Sequence, residues 1–273
     1  MCAQSPPEIA QTICDVGCKK TKLQVGKMFV LAILAGAYIG FGAQLSTAVK
    51  VGLADKVGAG LANLVGGAVF PVGLILVVIG GAELFTGNNL ISLACCHGKA
   101  AWSGLLKNWV VVYIGNFVGS IVLALIIYLG FYASMNPAEP TALANLALTT
   151  ANAKVSLPFI DAVARGIACN WLVCLAVWLA ASSKDTIGKI FAIFFPIMAF
   201  VAMGLEHSIA NMYFIPIGLF IKDFTGVATT GANLNWVGFL VNNLLPVTIG
   251  NIIGGVVFVA VLYWYAYLKG KAD

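Results

Sequence analysis

Two stretches of this 273-residue chain decide its fold: Gly81-Ala82-Glu83-Leu84-Phe85-Thr86-Gly87-Asn88 and Gly204-Leu205-Glu206-His207-Ser208-Ile209-Ala210-Asn211. Each opens Gly-x-Glu and places an asparagine five residues after the glutamate. Each also lies midway along an apolar run, 58–97 and 187–221. Such runs are too long for one plain membrane helix, which needs about 20 residues. A polar interruption flanked by glycine predicts a span that breaks and begins again. Non-helical backbone at membrane depth survives only buried in protein or lining a wet cavity, so the two loops Glu83–Asn88 and Glu206–Ser208 are expected to meet in the interior.

The composition around them agrees. Hydrophobic residues make up 61% of the chain and charged residues 9%, with a mean hydropathy of +0.98. A soluble domain carries roughly a quarter charged residues; here there is too little polar side chain to cover a water-facing surface. That excludes a soluble enzyme, a disordered chain and a collagen-like fibre. The net charge of +5 comes from lysines spread singly or in small groups, so no nucleic-acid partner is expected. The fold class is an all-α integral membrane protein.

Six spans are expected, near 25–48, 58–97, 106–134, 156–182, 187–221 and 242–268, forming a transmembrane domain over 23–273. Residues 1–22 read as a short amphipathic cytoplasmic helix with Pro6 and Pro7 just before it. The N-terminus lacks a cleavable signal pattern. With that end inside, ten lysines (19, 20, 22, 27, 99, 107, 184, 189, 269, 271) fall on the cytoplasmic side and four (50, 56, 154, 222) outside. This is the positive-inside bias of a plasma or inner membrane protein with both termini cytoplasmic. The seven cysteines are odd in number, with no CxxC, and read as reduced thiols. No metal or cofactor is expected.

The two halves repeat. Gly36–Gly40 matches Gly166–Asn170 weakly, and the two Gly-x-Glu segments match each other. Asn108 with Gly115-Asn116-Phe117-Val118-Gly119 matches Asn243 with Gly250-Asn251-Ile252-Ile253-Gly254. The order is the same in both halves, which predicts repeats over about 25–134 and 156–268. A unit of three spans is odd, so its copies must lie inverted, and inverted repeats with broken helices build transport paths at their junction.

Each break is followed by a new helix, with Thr86 and Ser208 in N-cap-like positions. A helix start carries unpaired N–H groups and partial positive charge, so two of them aimed at one cavity favour a small anion. His207 is the only histidine within a span. It reads either as a proton donor near neutral pH or as a neutral ring that locks one loop to the other, with Thr86 as its neighbour. Glu83 and Glu206 would repel an anion, so they are expected to face away, accepting hydrogen bonds from backbone or from Asn116 and Asn251. Gly81, Gly87 and Gly204 are expected at the breaks themselves. Asp161 and Arg165 are spaced to pair on one helix face. Lys154 reads as a solvated loop lysine or as the charge of an outer vestibule.

These segments resemble the formate/nitrite transporter family. The residues that carry the likeness are Ala35–Gly40, Gly81–Asn88, Asn170–Trp178, Glu206–Met212 and Val247–Gly254, with Leu84-Phe85-Thr86-Gly87-Asn88 and Glu206-His207-Ser208-Ile209-Ala210-Asn211 the most specific strings. The resemblance implies an aquaporin-like fold with an inverted three-span repeat. It also implies a homopentamer in a lipid bilayer, each protomer with its own pore and lipid in the central hole. It places hydrophobic constrictions at Phe70, Leu74, Leu84 and Phe200, and a polar centre at Thr86, His207 and Asn251. Asn170 would be a further polar residue of the path, Lys154 its vestibule lysine, and Leu84–Asn88 a mobile loop.

The expected function is passage of a small monovalent anion, formate first, as the anion or as the acid formed in transit, with possible proton coupling through His207. Nitrite or hydrosulfide is the alternative within the family. A neutral-solute channel like the aquaporins is a second, though neither break carries Asn-Pro-Ala. A membrane enzyme would need paired haem histidines, a metal cluster or a nucleophile with its base, and the sequence offers no such set.

Overall fold

A computed structural model describes residues 3–228, 231 and 233–270, and every regular element among them is helical. Cys2 and Lys271, counted above, lie outside the described residues. Helix α1 (Pro6–Thr21) opens where the Glu8 carboxylate receives both the N–H and the hydroxyl of Ser5, at 2.7 Å each. These bonds, the hydroxyl's first, hold the Glu8 carboxyl below its usual range. Pro6 and Pro7 stand inside the first turn rather than before it, because the missing proline N–H is one that a first turn leaves unpaired in any case.

The first half continues through α2 (Val25–Lys50), the short α3 (Leu53–Val57), α4 (Ala59–Val69), α5 (Val72–Gly80), α6 (Ile91–Cys96) and α7 (Trp102–Phe131). The second half holds α8 (Ala142–Val155), α9 (Phe159–Ser182), α10 (Thr186–Ala202), α11 (Ser208–Thr225), α12 (Leu245–Gly255) and α13 (Leu262–Tyr267). A π-helical stretch, Gly238–Leu244, leads into α12, and a second, Val256–Val261, joins α12 to α13, making one rod.

Among the described residues, five stretches are long and apolar enough to cross a membrane: Val25–Lys50, Ala59–Gly80, Trp102–Phe131, Phe159–Ser182 and Gly238–Tyr267. Helix α10, at 17 residues, is short for that on its own. Both long apolar runs are interrupted where the Gly-x-Glu segments stand. Gly81 (φ +82°) ends α5 and Gly204 (φ +67°) closes the turn after α10, both in the left-handed conformation that only glycine adopts without strain. Gly87 is different: it opens the 3₁₀ turn Gly87–Leu90 with ordinary dihedrals, and a Cβ there would meet only Val177 at normal contact distance.

Helix α2 packs along α7 and α9 along α12. A Cβ on Gly119 would overlap the Ile33 carbonyl, and one on Gly254 the Ile167 carbonyl; small residues let these backbones close on each other. The polar residues then turn inward. Asn108, Asn116, Asn170, Asn211, Asn243 and Asn251 are each 0% exposed, while Phe41, Leu106, Ile126, Phe131 and Phe191 face outward.

Residues 142–155, between the third and fourth expected spans, form helix α8. It begins on Thr141, whose hydroxyl accepts the Ala144 N–H at 3.2 Å, and buries Ala144, Ala147, Leu148, Ala151 and Val155 at helical spacing, packed on α11.

Candidate functional site

Each break is held by one asparagine from the neighbouring rod. At the first, Asn116 Oδ1 accepts the Phe85 N–H (2.9 Å) while its Nδ2 donates to the carbonyls of Ala32 (2.7 Å) and Glu83 (2.9 Å). At the second, Asn251 Oδ1 accepts the Ser208 N–H (2.9 Å) while its Nδ2 donates to Gly166 and Glu206 (both 2.9 Å). Unwound backbone in a dry interior needs such partners, since each orphaned peptide group costs as much as a lost hydrogen bond.

The two glutamates are tied down in the same way. Asn88 Nδ2 donates to Glu83 Oε2 (2.7 Å) and Asn108 Oδ1 (2.8 Å); Asn211 Nδ2 donates to Glu206 Oε2 (2.6 Å) and Asn243 Oδ1 (2.7 Å). Each carboxylate also meets a lysine: Lys20 Nζ lies 2.7 Å from Glu83 Oε1 and Lys154 Nζ lies 2.9 Å from Glu206 Oε1. The carboxylates therefore do not rely on Asn116 and Asn251, which serve the backbone of the breaks instead. Arg165 and Asp161 form no ion pair with each other; what Arg165 gives the site is its carbonyl, which accepts the Glu206 N–H.

The breaks meet at Thr86 and His207, where Thr86 Oγ1 lies 2.9 Å from His207 Nε2. His207, not Ser208, is the N-cap of α11: its Nδ1 accepts the Ala210 N–H at 3.0 Å. A backbone N–H can only donate, so Nδ1 carries no proton and the neutral ring donates from Nε2 to Thr86. This capping and the bonds from Asn116 and Asn251 consume peptide N–H groups that had been expected to face an anion.

Around this contact the walls are apolar. Ile39, Phe70, Leu74, Leu84, Val173, Ile197 and Phe200 enclose, with His207, a gap too small for a water molecule. Phe70 meets the Phe200 ring edge-on at 5.5 Å, and Phe200 stacks on the His207 ring at 5.8 Å. On one side the gap opens to a cavity of about 310 Å³ whose lining includes Thr47, Lys50, Thr150, Lys154, Glu206 and His207. Buried polar groups thus stand behind an apolar closure, with the cavity in front of it.

Comparison with known proteins decides the family. Residues 7–265 match the formate/nitrite transporter family. The chain is 46% identical to a probable formate transporter of Methanothermobacter thermautotrophicus, covering 97% of this chain and 98% of that one. It is 40% identical to the formate channel FocA of Escherichia coli K12, covering 97% and 94%. The chain belongs to the formate/nitrite transporter family. Among solved structures, a pentameric formate channel with formate bound superposes with a TM-score of 0.80 at 41% identity, covering 90% of this chain and 98% of that one. An ion channel of the same family gives 0.82 at 30% identity, covering 95% and 98%.

Within this family member, Phe70, Leu74, Leu84 and Phe200 line one gap, and Thr86 and His207 meet beside it. Asn170 and Asn251 stand behind that contact. Asn170 Nδ2 donates to the Thr86 carbonyl (3.2 Å) and the Asn251 carbonyl (2.7 Å), so both asparagines act as struts of the breaks. Lys154 stands on α8, not in a loop, and lines the cavity with its ammonium paired to Glu206. Sequence reasoning missed Lys20, Lys50, Ile39, Val173 and Ile197. It matched Asn108 with Asn243 without giving either a task, although that match was the signal for the glutamate-holding pair.

Proposed function

We propose that this protein conducts small monovalent anions, formate first, through a path between its two broken spans. The Thr86–His207 bond carries this reading, because it joins the breaks beside an apolar closure that opens onto a cavity bearing cations. The names of the relatives, formate channels and transporters, support the substrate class.

The architecture proposed with it has six spans, the second running α4–α5 into its break and the fifth running α10, break, α11. The matched bonding of Asn116 with Asn251, of Asn88 with Asn211 and of Lys20 with Lys154 supports two inverted copies of a three-span unit. The cavity then faces outward, both termini face the cytoplasm, and the pentameric relative supports five copies with one pore each.

A carboxylate crossing the closure would shed its water at a cost of several kcal/mol, and taking up a proton removes that cost. His207 passes such a proton only if Nδ1 releases Ala210 and accepts a proton as Nε2 gives one up. Uptake of labelled formate by proteoliposomes, with nitrite, lactate and hydrosulfide as competitors at two pH values, tests the function. Saturable formate uptake above protein-free vesicles supports it; swelling with water or glycerol and no formate uptake contradicts it.

A further inference from the structure

Lys154 is the cation that the likeness to the family assigns to the vestibule, yet its ammonium is bound to Glu206 at 2.9 Å, and its side chain is only 14% exposed. Lys50, the last residue of α2, lines the same cavity. Among the described residues no carboxylate stands within ion-pair distance of it. Of the charged side chains in the lining, Lys50, Lys154 and Glu206, the last two cancel, and Lys50 supplies the cavity's net positive charge.

The fold also makes room for this side chain. The Lys50 stem lies against α4 at Gly66, where a Cβ would come within 2.5 Å of Lys50 Cδ and 3.0 Å of Ser46 Oγ. Any larger residue at 66 would drive the stem away, so the two helices set the direction of the ammonium instead of leaving it to wander in solvent. The hydroxyls of Ser46, Thr149 and Thr150 share the lining, while Thr47 commits its proton to the Ala43 carbonyl at 3.0 Å. One ammonium with hydroxyl donors beside it, in a concave site of low dielectric, recognises a single negative charge carried on oxygens.

We infer that Lys50 is the capture residue of the vestibule, binding a small carboxylate or similar monovalent oxyanion before it reaches the closure. Lys154 is then a structural partner of Glu206. This inference rests on the transport reading above and adds to it the place where the anion first binds.

Formate uptake by Lys50→Met and Lys50→Arg proteoliposomes tests it. Lys50→Met is expected to raise KM about tenfold while the limiting rate stays within about twofold, because the residue concentrates the ion and takes no part in the crossing. Its uptake at low formate should also lose most of the salt dependence of the wild type, since screening acts on the charge removed. Lys50→Arg keeps both properties. A KM and a salt dependence unchanged in Lys50→Met overturn the inference. Failure of the transport reading has a different signature: the wild type itself takes up no formate, whereas protection of Lys50 by formate from a membrane-impermeant amine reagent still reports the site. Absence of that protection overturns the capture role.

Discussion

Thr86 and His207 stand 121 positions apart in the chain and share a hydrogen bond of 2.9 Å where the two interrupted spans meet. Because His207 Nδ1 is committed to Ala210, the bond has a direction, from Nε2–H to the threonine oxygen. A change at either residue therefore reaches both loops.

Thr86→Val keeps the shape of the side chain and removes the acceptor. The His207 N–H is then left buried without a partner, at about 1–3 kcal/mol. Thermal unfolding in detergent should show that loss, and formate uptake should fall with it. Thr86→Ser, which restores the oxygen, should recover both.

Asn116 and Asn251 make equivalent bonds at the two breaks, so Asn116→Leu and Asn251→Leu should destabilise by similar amounts. Each strands one peptide N–H and one loop carbonyl, that of Glu83 or Glu206, which predicts a loss of at least about 2 kcal/mol. Unfolding curves for the two variants check it; a large effect at one site and none at the other would contradict their shared role.

Lys154→Met leaves Glu206 as a buried carboxylate without its cation, which costs about 3–5 kcal/mol. Adding Glu206→Gln should return most of that stability, because the amide needs no counter-charge and can still accept from Asn211. A double-mutant cycle on folded yield and melting temperature measures the coupling. Additive losses would show that the pair does not act as one.

Gly119→Leu and Gly254→Leu should each abolish the folded protein, since the new side chain enters the backbone of α2 or α9. Gly130→Leu is the control, with nothing within 4 Å of a Cβ there. Monodispersity on size-exclusion chromatography separates the outcomes.

Much of this architecture is legible in the sequence, for physical reasons. A break in an apolar run must carry glycine to end the helix and polar side chains to bond the freed backbone, and both are visible at 81–88 and 204–211. What escaped was set by neighbours distant in the chain. Residues 142–155 are mostly alanine, leucine and threonine, without the apolar length of a span, and only packing on α11 shows that they are a buried helix. Lys20 and Lys154 lie 63 and 52 residues from their glutamates, a separation that no local pattern reports. Ser208 looked like the cap because serine is a common one, yet the imidazole one residue earlier takes the bond.

Under the proposed function the ion crosses the closed gap lined by Leu84 and Phe200. A Leu84→Cys/Phe200→Cys variant in a cysteine-free background tests it most directly, through formate flux before oxidation, after oxidation and after reduction. The crosslink should bring flux down to the level of protein-free vesicles, and reduction should restore it. A crosslink formed in full with flux unchanged would place the path elsewhere in the molecule.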